Sequence, residues 1–580
     1  MPFNPVSQEA SPDLIQSMGG RLRTNWILLC VLVLAFASRI YGIWNADSSD
    51  EYNEVFEALR VCSGHLNYER WFKRFYLYIL SLQYGLFYIV GWLFGQFASP
   101  ADFAAKIIRD MTPLFIIGRV TSALMGTFSV FMTYRIGSLL YGKNVGLLAS
   151  LFLALNAVNI ELSHYARVDA TLCAVVLTSF YFIAKMLRSE EVSLVRYYAF
   201  AGLFCGIAFQ NKIPSVILLI PFGYAHLARV DFTLSVRKVL NRNLVVFCAL
   251  FLIGMAIGNP AILIAPLKFV GGVLSMGEVF TTPINETRSD SIGYVAYLHY
   301  FYKELGLPLT VLAVFSIWRA VIRRAGEDLL LLSFILSFYG LMGASRYMVS
   351  NSYMIPLMPF LYILCAKGLF GAFNRSRMQP HLKGKVLVIA VLIVLVIPIT
   401  NMARLVASFS GKNTRNIAKE WIEQKIPFGT RILMDSGKTI NSAAPDIAQN
   451  KDSILRSIEE IRGHIASQTF NDPTKMVDQN AVKYYEMLLL SVPENSYDIT
   501  STKFGLEVKN IDFYRNSGYK YFIISEGRKL ARSDTFTAAR YREVHRFYSS
   551  LDTDPRLVLV KVIAPNPTSR GDTFLIYQVM

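Results

Sequence analysis

Trp26-Ile-Leu-Leu-Cys-Val-Leu-Val-Leu-Ala-Phe-Ala-Ser-Arg-Ile-Tyr-Gly-Ile-Trp44 is followed at once by Asn45-Ala-Asp47-Ser-Ser-Asp50-Glu51-Tyr52. The apolar run is long enough to cross a bilayer as one helix, so a knot of three carboxylates stands just past its end. Acids this close to hydrocarbon are costly to desolvate, and they either face water or mark a functional site. The reading that follows is a membrane protein whose first helix delivers an acidic edge to one face.

Composition agrees. The 580 residues are 53% hydrophobic and only 17% charged, with a mean hydropathy of +0.38, which is too apolar for a soluble chain of this size and points to a polytopic membrane protein. Forty Phe and 31 Tyr suit aromatic belts at the two interfaces. The net charge of +17 belongs to short basic loops, so nucleic acid is not implied. Five of the six cysteines, Cys30, Cys173, Cys205, Cys248 and Cys365, fall in apolar segments, and no metal-type spacing exists. Arg21 and Arg23 precede the first span and no small-residue cleavage site follows it, so it reads as a signal anchor.

Further spans are expected near 113–134, 145–163, 170–187, 197–210, 213–228, 244–262, 297–318, 329–343, 352–366 and 386–405, giving about 11 (10–13) transmembrane helices. The stretch 75–98 is apolar enough to be another. Counting it as a span would put most basic loops outside, so it is expected in the interface or as a re-entrant segment. The domain reading is a cytoplasmic tail 1–24, a transmembrane domain 25–405 and an extracytoplasmic α/β domain 406–580. The first external loop, 45–112, carries juxtamembrane helices. In it Tyr52, Val55, Phe56 and Leu59 recur at helical spacing opposite Glu54, Glu57 and Arg60, as in an amphipathic helix on the membrane surface. A second long external loop, 263–296, is placed to close over the cavity. Beyond 406 a helix from Thr414 and strands at 431–434, 519–525, 557–563 and 573–579 are expected.

Two more polar groups reach the face of the acidic knot. One is Ser163-His-Tyr-Ala-Arg167-Val-Asp169; the other is a set of cations, Lys73, Arg74, Lys212 and Arg346. A sugar linked to a lipid phosphate needs cations to neutralise the leaving phosphate, and an acceptor hydroxyl needs a carboxylate to take its proton. Asp50 and Asp169 could also hold a divalent ion, although two acids alone do not specify one. Each residue has a plainer reading. Asp50 and Glu51 can be solvated acids, Asp169 a helix-end partner of Arg167, Arg119 a structural ion-pair partner, and Lys212 and Arg346 snorkelling cations. His65 and His164 read as polar interface residues, and Asn285-Glu-Thr287 as a chance glycosylation triplet. The rival function is a transporter or flippase of lipid-linked sugars, which would favour inverted repeats that this sequence does not show.

Asp50-Glu51 after the first span, Gly118-Arg119-Val-Thr-Ser122, Tyr134-Arg-Ile-Gly137 with Tyr141-Gly142, and His164-Tyr-Ala-Arg167-Val-Asp169 form an ordered series. Gly202-Leu-Phe-Cys-Gly206 before Asn211-Lys212, and Arg346-Tyr347 before Ile355-Pro-Leu-Met-Pro359, complete it. In this order, over residues 26–370, the chain resembles the GT-C membrane glycosyltransferases, in the branch of the protein O-mannosyltransferases, the lipid A aminoarabinose transferase and the relatives of the rhizobial galacturonosyltransferases. The resemblance implies a polyprenyl-phosphate sugar donor, a lipid, glycan or protein acceptor, and inverting transfer at the periplasmic or luminal face of a membrane, such as a bacterial inner membrane. Carried over, Asp50 becomes the general base or a metal-associated carboxylate, Glu51 its neighbour and Asp169 a second acid. Lys73, Arg74, Arg167, Lys212 and Arg346 become the donor-phosphate contacts, and Asp50 with Asp169 the ligands of a metal if one is used. Lys73-Arg-Phe75 lacks the proline usual after the basic residue, which leaves open which of the two cations faces the donor.

Overall fold

The computed structural model describes residues 14–64, 74–233, 235–281, 293–345, 349–375, 378–435, 444–467, 475–502 and 508–580. Helix α1 (Leu14–Ile40) begins inside the expected tail 1–24. Helices α2 (Ser49–Cys62), α3 (Arg74–Leu93) and α4 (Pro100–Arg109) follow in the loop 45–112. The bundle continues with α5 (Thr112–Tyr141), α6 (Lys143–Ala154), α7 (Ala157–Ser163), α8 (Val168–Arg188), α9 (Glu191–Asn211), α10 (Leu219–Arg229), α11 (Val236–Val239) and α12 (Arg242–Gly258). It ends with α13 (Pro266–Thr281), α14 (Gly293–Arg323), α15 (Gly326–Gly343), α16 (Met358–Arg375) and α17 (Pro380–Ser408). Most of the expected loop 263–296 is therefore helix, and residues 282–292 lie outside the described residues.

Among the described residues eight helices are long and apolar enough to cross a membrane, or nine with the bent pair α6–α7. This is an integral membrane protein, and its described residues hold fewer such helices than the 11 (10–13) expected. The shortfall falls on 197–210, 213–228 and 244–262: the last two lie in helices too short for a span, while α9, 21 residues long, is not apolar enough over its described residues. Packing supports them instead. A Cβ on Gly202 would stand 2.3 Å from the Phe247 carbonyl oxygen, and one on Gly206 2.1 Å from that of Phe251. Glycine at both positions lets the backbones of α9 and α12 touch, as small-residue pairs do in membranes.

The stretch 75–98 also differs from expectation, because α3 is one continuous helix that meets the length and hydropathy of a span. Tyr76 lies level with Ser122 (3.4 Å) while Tyr84 donates to the Leu114 carbonyl (3.2 Å), so α3 runs antiparallel to the opening turns of α5 and on past its start. Phe87 and Tyr88 then pack on Phe97 and Phe103, at and within α4. Helix α2 buries Val55 and Phe56 as its spacing predicts, but Glu54 and Glu57 are buried too. Its polar face meets protein rather than water, and the Glu54 carboxylate accepts the Val168 N–H (3.1 Å).

The C-terminal part forms a mixed sheet. Helix α18 (Thr414–Lys425), β1 (Arg431–Met434), α19 (Lys451–Ser467), α20 (Lys475–Leu488), β2 (Asp498–Ser501), β3 (Tyr521–Ser525), β4 (Leu557–Ile563) and β5 (Phe574–Val579) give the strand order β2-β1-β3-β5-β4. The first three strands are parallel, and β5 runs antiparallel between β3 and β4. Leu433, Phe522 and Tyr577 pack with Phe547 and Tyr548, while Ile432, Ile523 and Ile576 pack with Ala418 and Ile422. Strand β2 gave no signal in sequence because Asp498-Ile-Thr-Ser501 is short and mostly polar.

Candidate active site

The site begins with a close approach. A Cβ on Gly118 would stand 2.6 Å from the Ala166 Cβ, so glycine at this point of α5 lets the 164–167 segment lie against the helix. There the Ala166 N–H donates to Glu51 Oε2 (2.9 Å). Arg119, the next residue of α5, donates from Nε to Oε2 (2.8 Å) and from Nη2 to Oε1 (3.2 Å) of the same carboxylate, and from Nη1 to the Ile43 carbonyl (3.1 Å). Burial pushes the Glu51 carboxyl above its ordinary range, and the Arg119 charge opposes that push. Both oxygens of this acid are engaged and its side chain is 0% exposed.

Asp50, one residue earlier, is turned outward. Its side chain is 47% exposed and sits 3.1 Å from Arg167 Nη2. Nε of the same guanidinium lies 3.3 Å from Asp169 Oδ2, and Lys212 Nζ donates to Asp169 Oδ1 (3.0 Å). Acid and cation alternate along this row: Asp50, Arg167, Asp169, Lys212. Burial works against the Arg167 charge, but Asp169 and Asp50 outweigh it and hold the guanidinium above its ordinary range. The Lys212 ammonium also stands over the Tyr353 ring, 4.3 Å from its centroid. The ends of α2, α8 and α9 bring these residues together, although more than 150 positions separate Asp50 from Lys212.

Asp47, the third acid of the knot, faces elsewhere. Arg415 of α18 stands 3.2 Å from it and also donates to the Tyr52 hydroxyl (2.6 Å) and the Ala444 carbonyl (2.6 Å). No feature near Arg415 marks this role in the sequence. His164 has both ring nitrogens 2.9 Å from backbone carbonyls, of Ile160 and Tyr41, and stacks on Phe409 at 4.0 Å, so it supports the segment rather than facing the acids. Lys73, the Arg74 side chain, Arg346 and His65 lie outside the described residues. A divalent ion shared by Asp50 and Asp169 would have to displace the guanidinium between them. Among the described residues no three His, Cys, Asp or Glu side chains form a metal-sized cluster.

Residues 104–260, which carry Arg119, Arg167, Asp169 and Lys212, match the family model of dolichyl-phosphate-mannose-protein mannosyltransferase. No curated protein matches the chain by sequence. Among solved structures it is similar to the Archaeoglobus fulgidus oligosaccharyltransferase in complex with zinc and sulfate, at TM-score 0.48 and 10% identity over 90% of this chain and 71% of that one. It is also similar to ArnT from Cupriavidus metallidurans bound to undecaprenyl phosphate, at TM-score 0.47 and 12% identity over 97% and 98% of the two chains. A third is the Archaeoglobus fulgidus oligosaccharyltransferase AglB in complex with an inhibitory peptide and a dolichol-phosphate, at TM-score 0.43 and 11% identity over 87% and 70%. The family match falls on the helices that carry Arg119, Arg167, Asp169 and Lys212, within a polytopic helical fold that ends in a mixed sheet.

Proposed function

We propose that the protein transfers a sugar from a polyprenyl-phosphate donor to a hydroxyl or amide acceptor at the extracytoplasmic face, with inversion. The observation that carries this reading is the alternating row of Asp50, Arg167, Asp169 and Lys212. Asp50 is the acid of that row with exposed surface, so it is the base: it takes the acceptor's proton as the acceptor attacks the anomeric carbon. The bond from that carbon to the phosphate oxygen breaks, and the lipid phosphate leaves with the electron pair. Arg167 and Lys212 sit where that charge develops, and Asp169 holds both cations in place.

Release of free polyprenyl phosphate from labelled undecaprenyl-phosphate sugars tests the reading, with wild type compared with Asp50→Asn in lipid, with and without candidate acceptors. The expected result is acceptor-dependent release that falls by about 10²–10⁴ in Asp50→Asn, the range for losing a positioned base. Donor that crosses the bilayer equally in both proteins without being cleaved would instead establish the flippase.

A further inference from the structure

Four side chains at the ends of α8, α9 and α12 carry buried polar atoms with no partner: both amide atoms of Gln210, both of Asn211, Oγ1 of Thr171 and Nδ2 of Asn259. Each of these residues is at most 1% exposed. They adjoin the ion-paired row. Asn211 precedes Lys212, Thr171 follows Asp169 by two residues, and Gln210 packs on Gly258, next to Asn259, where an added Cβ would stand 2.7 Å from the Gln210 Cβ. A buried polar group left unpaired costs about 1–3 kcal/mol. Leucine or methionine would occupy the same space without that cost, so a chain that keeps amides here keeps them for something that binds.

The chemistry of the unpaired atoms narrows the ligand. The Thr171 hydroxyl and the amide nitrogens could be satisfied by phosphate oxygens, but Gln210 Oε1 and Asn211 Oδ1 are acceptors only. A phosphate diester or a carboxylate offers them no hydrogen. A group bearing hydroxyls or an ammonium does, and one that presents both O–H and lone pairs satisfies both atoms of each amide. We infer that Gln210 and Asn211 bind the hydroxyl or amino groups of the donor sugar and set which sugar is accepted. The inference rests on the glycosyl-transfer reading above and adds to it the residues that read the sugar.

Two measurements on the purified full chain test it. In the first, Asn211→Leu and Gln210→Met are melted without donor beside wild type. The expected result is a higher midpoint, by about 1 °C in a chain of this length, and a lower midpoint in either variant would overturn the inference. In the second, turnover of undecaprenyl-phosphate hexoses is compared with that of their deoxy counterparts. Wild type should prefer the hydroxylated donor by at least about 10² in kcat/KM, as a site built around a substrate hydroxyl does. Asn211→Leu should reduce that preference to within about tenfold, while undecaprenyl phosphate alone binds both proteins equally. Unchanged discrimination in the variants overturns this inference and leaves sugar transfer standing. A wild type that binds undecaprenyl phosphate but cleaves none of the donors overturns the transfer reading itself.

Discussion

Asp47, Asp50 and Glu51 are one chemistry within five positions, and the fold gives them three uses. Sequence marks the group but not the division, because each partner is remote: Arg415 for Asp47, Arg167 for Asp50 and Arg119 for Glu51. The only local cue is the helical turn, which sets Glu51 about 100° around the axis from Asp50, so the two cannot face the same neighbour. Removing Glu51's charge leaves Arg119 buried beside no anion. Glu51→Gln is therefore expected to cost about 3–5 kcal/mol, and Asp50→Asn within about 0.5 kcal/mol, as for an exposed acid. Thermal melting of the two purified variants reads the difference, and a reversed order would exchange the roles assigned to these neighbours. Asp169 and Arg167 were legible as ion-pairing residues because an acid and a cation at a helix end need partners. Gln210 was not, since a lone amide at the end of an apolar helix gives no signal of being unpaired.

At the scale of elements, 145–163 reads as one span, yet the chain bends by 63° between α6 and α7. No proline or glycine sits at the break. Its one local mark is Asn156, whose side-chain oxygen accepts the Asn159 N–H (2.8 Å) as an N-cap. The supports come from elsewhere in the bundle. Arg39 of α1, fully buried, donates to the Leu153 carbonyl (3.3 Å) and to Asn159 Oδ1 (2.7 Å), and reaches the Ala154 carbonyl (3.5 Å). Glu304 of α14 accepts from the Val158 N–H (3.2 Å) and Asn156 Nδ2 (2.7 Å), just before the kink at Gly306, where φ is 69°. A cation therefore covers the carbonyl end of α6 and an anion the amide end of α7, the signs that the two helix dipoles favour. This break leads the chain into the 164–167 segment and so delivers Arg167 to Asp50. Arg39→Met keeps the length of the side chain and removes every donor, so it should cost about 3 kcal/mol or more and lower turnover along with stability. Arg39→Lys should recover part of both. An Arg39→Met protein that melts with wild type would mean the break holds itself.

For the molecule as a whole, the change of composition near residue 406 announces a separate α/β part, and four of its five strands fall where short apolar runs predict them. How that part docks was not legible, because the contacts join single residues far apart in sequence. There are two. Arg570, which precedes β5, pairs with Glu161 and stands 4.7 Å over the Phe409 ring, which also stacks on His164 and meets Tyr165 edge-on. Arg415 of α18 reaches Asp47 and Tyr52, and Tyr52 packs edge-on against Phe115 of α5 at 4.7 Å. The first contact braces the segment that carries Arg167, and the second braces the turn that carries Asp50. The sheet thus holds both ends of the Asp50–Arg167 pair, although it contributes no residue to it. If positioning is its contribution, loosening the second contact alone should reduce the chemical step while the first keeps the sheet attached. Arg415→Met is expected to lower kcat about tenfold or more, in line with the sensitivity of a catalytic pair to small displacements. Undecaprenyl-phosphate binding, which depends on Arg167 and Lys212 in the proposed mechanism, should stay nearly unchanged. Asp47→Asn should give a similar loss, and the double variant little more than either single one, with a coupling energy of about 0.5–3 kcal/mol as for residues in one network. Full additivity of the two substitutions, or an Arg415→Met protein with normal kcat, would show that the acid keeps its place without the sheet.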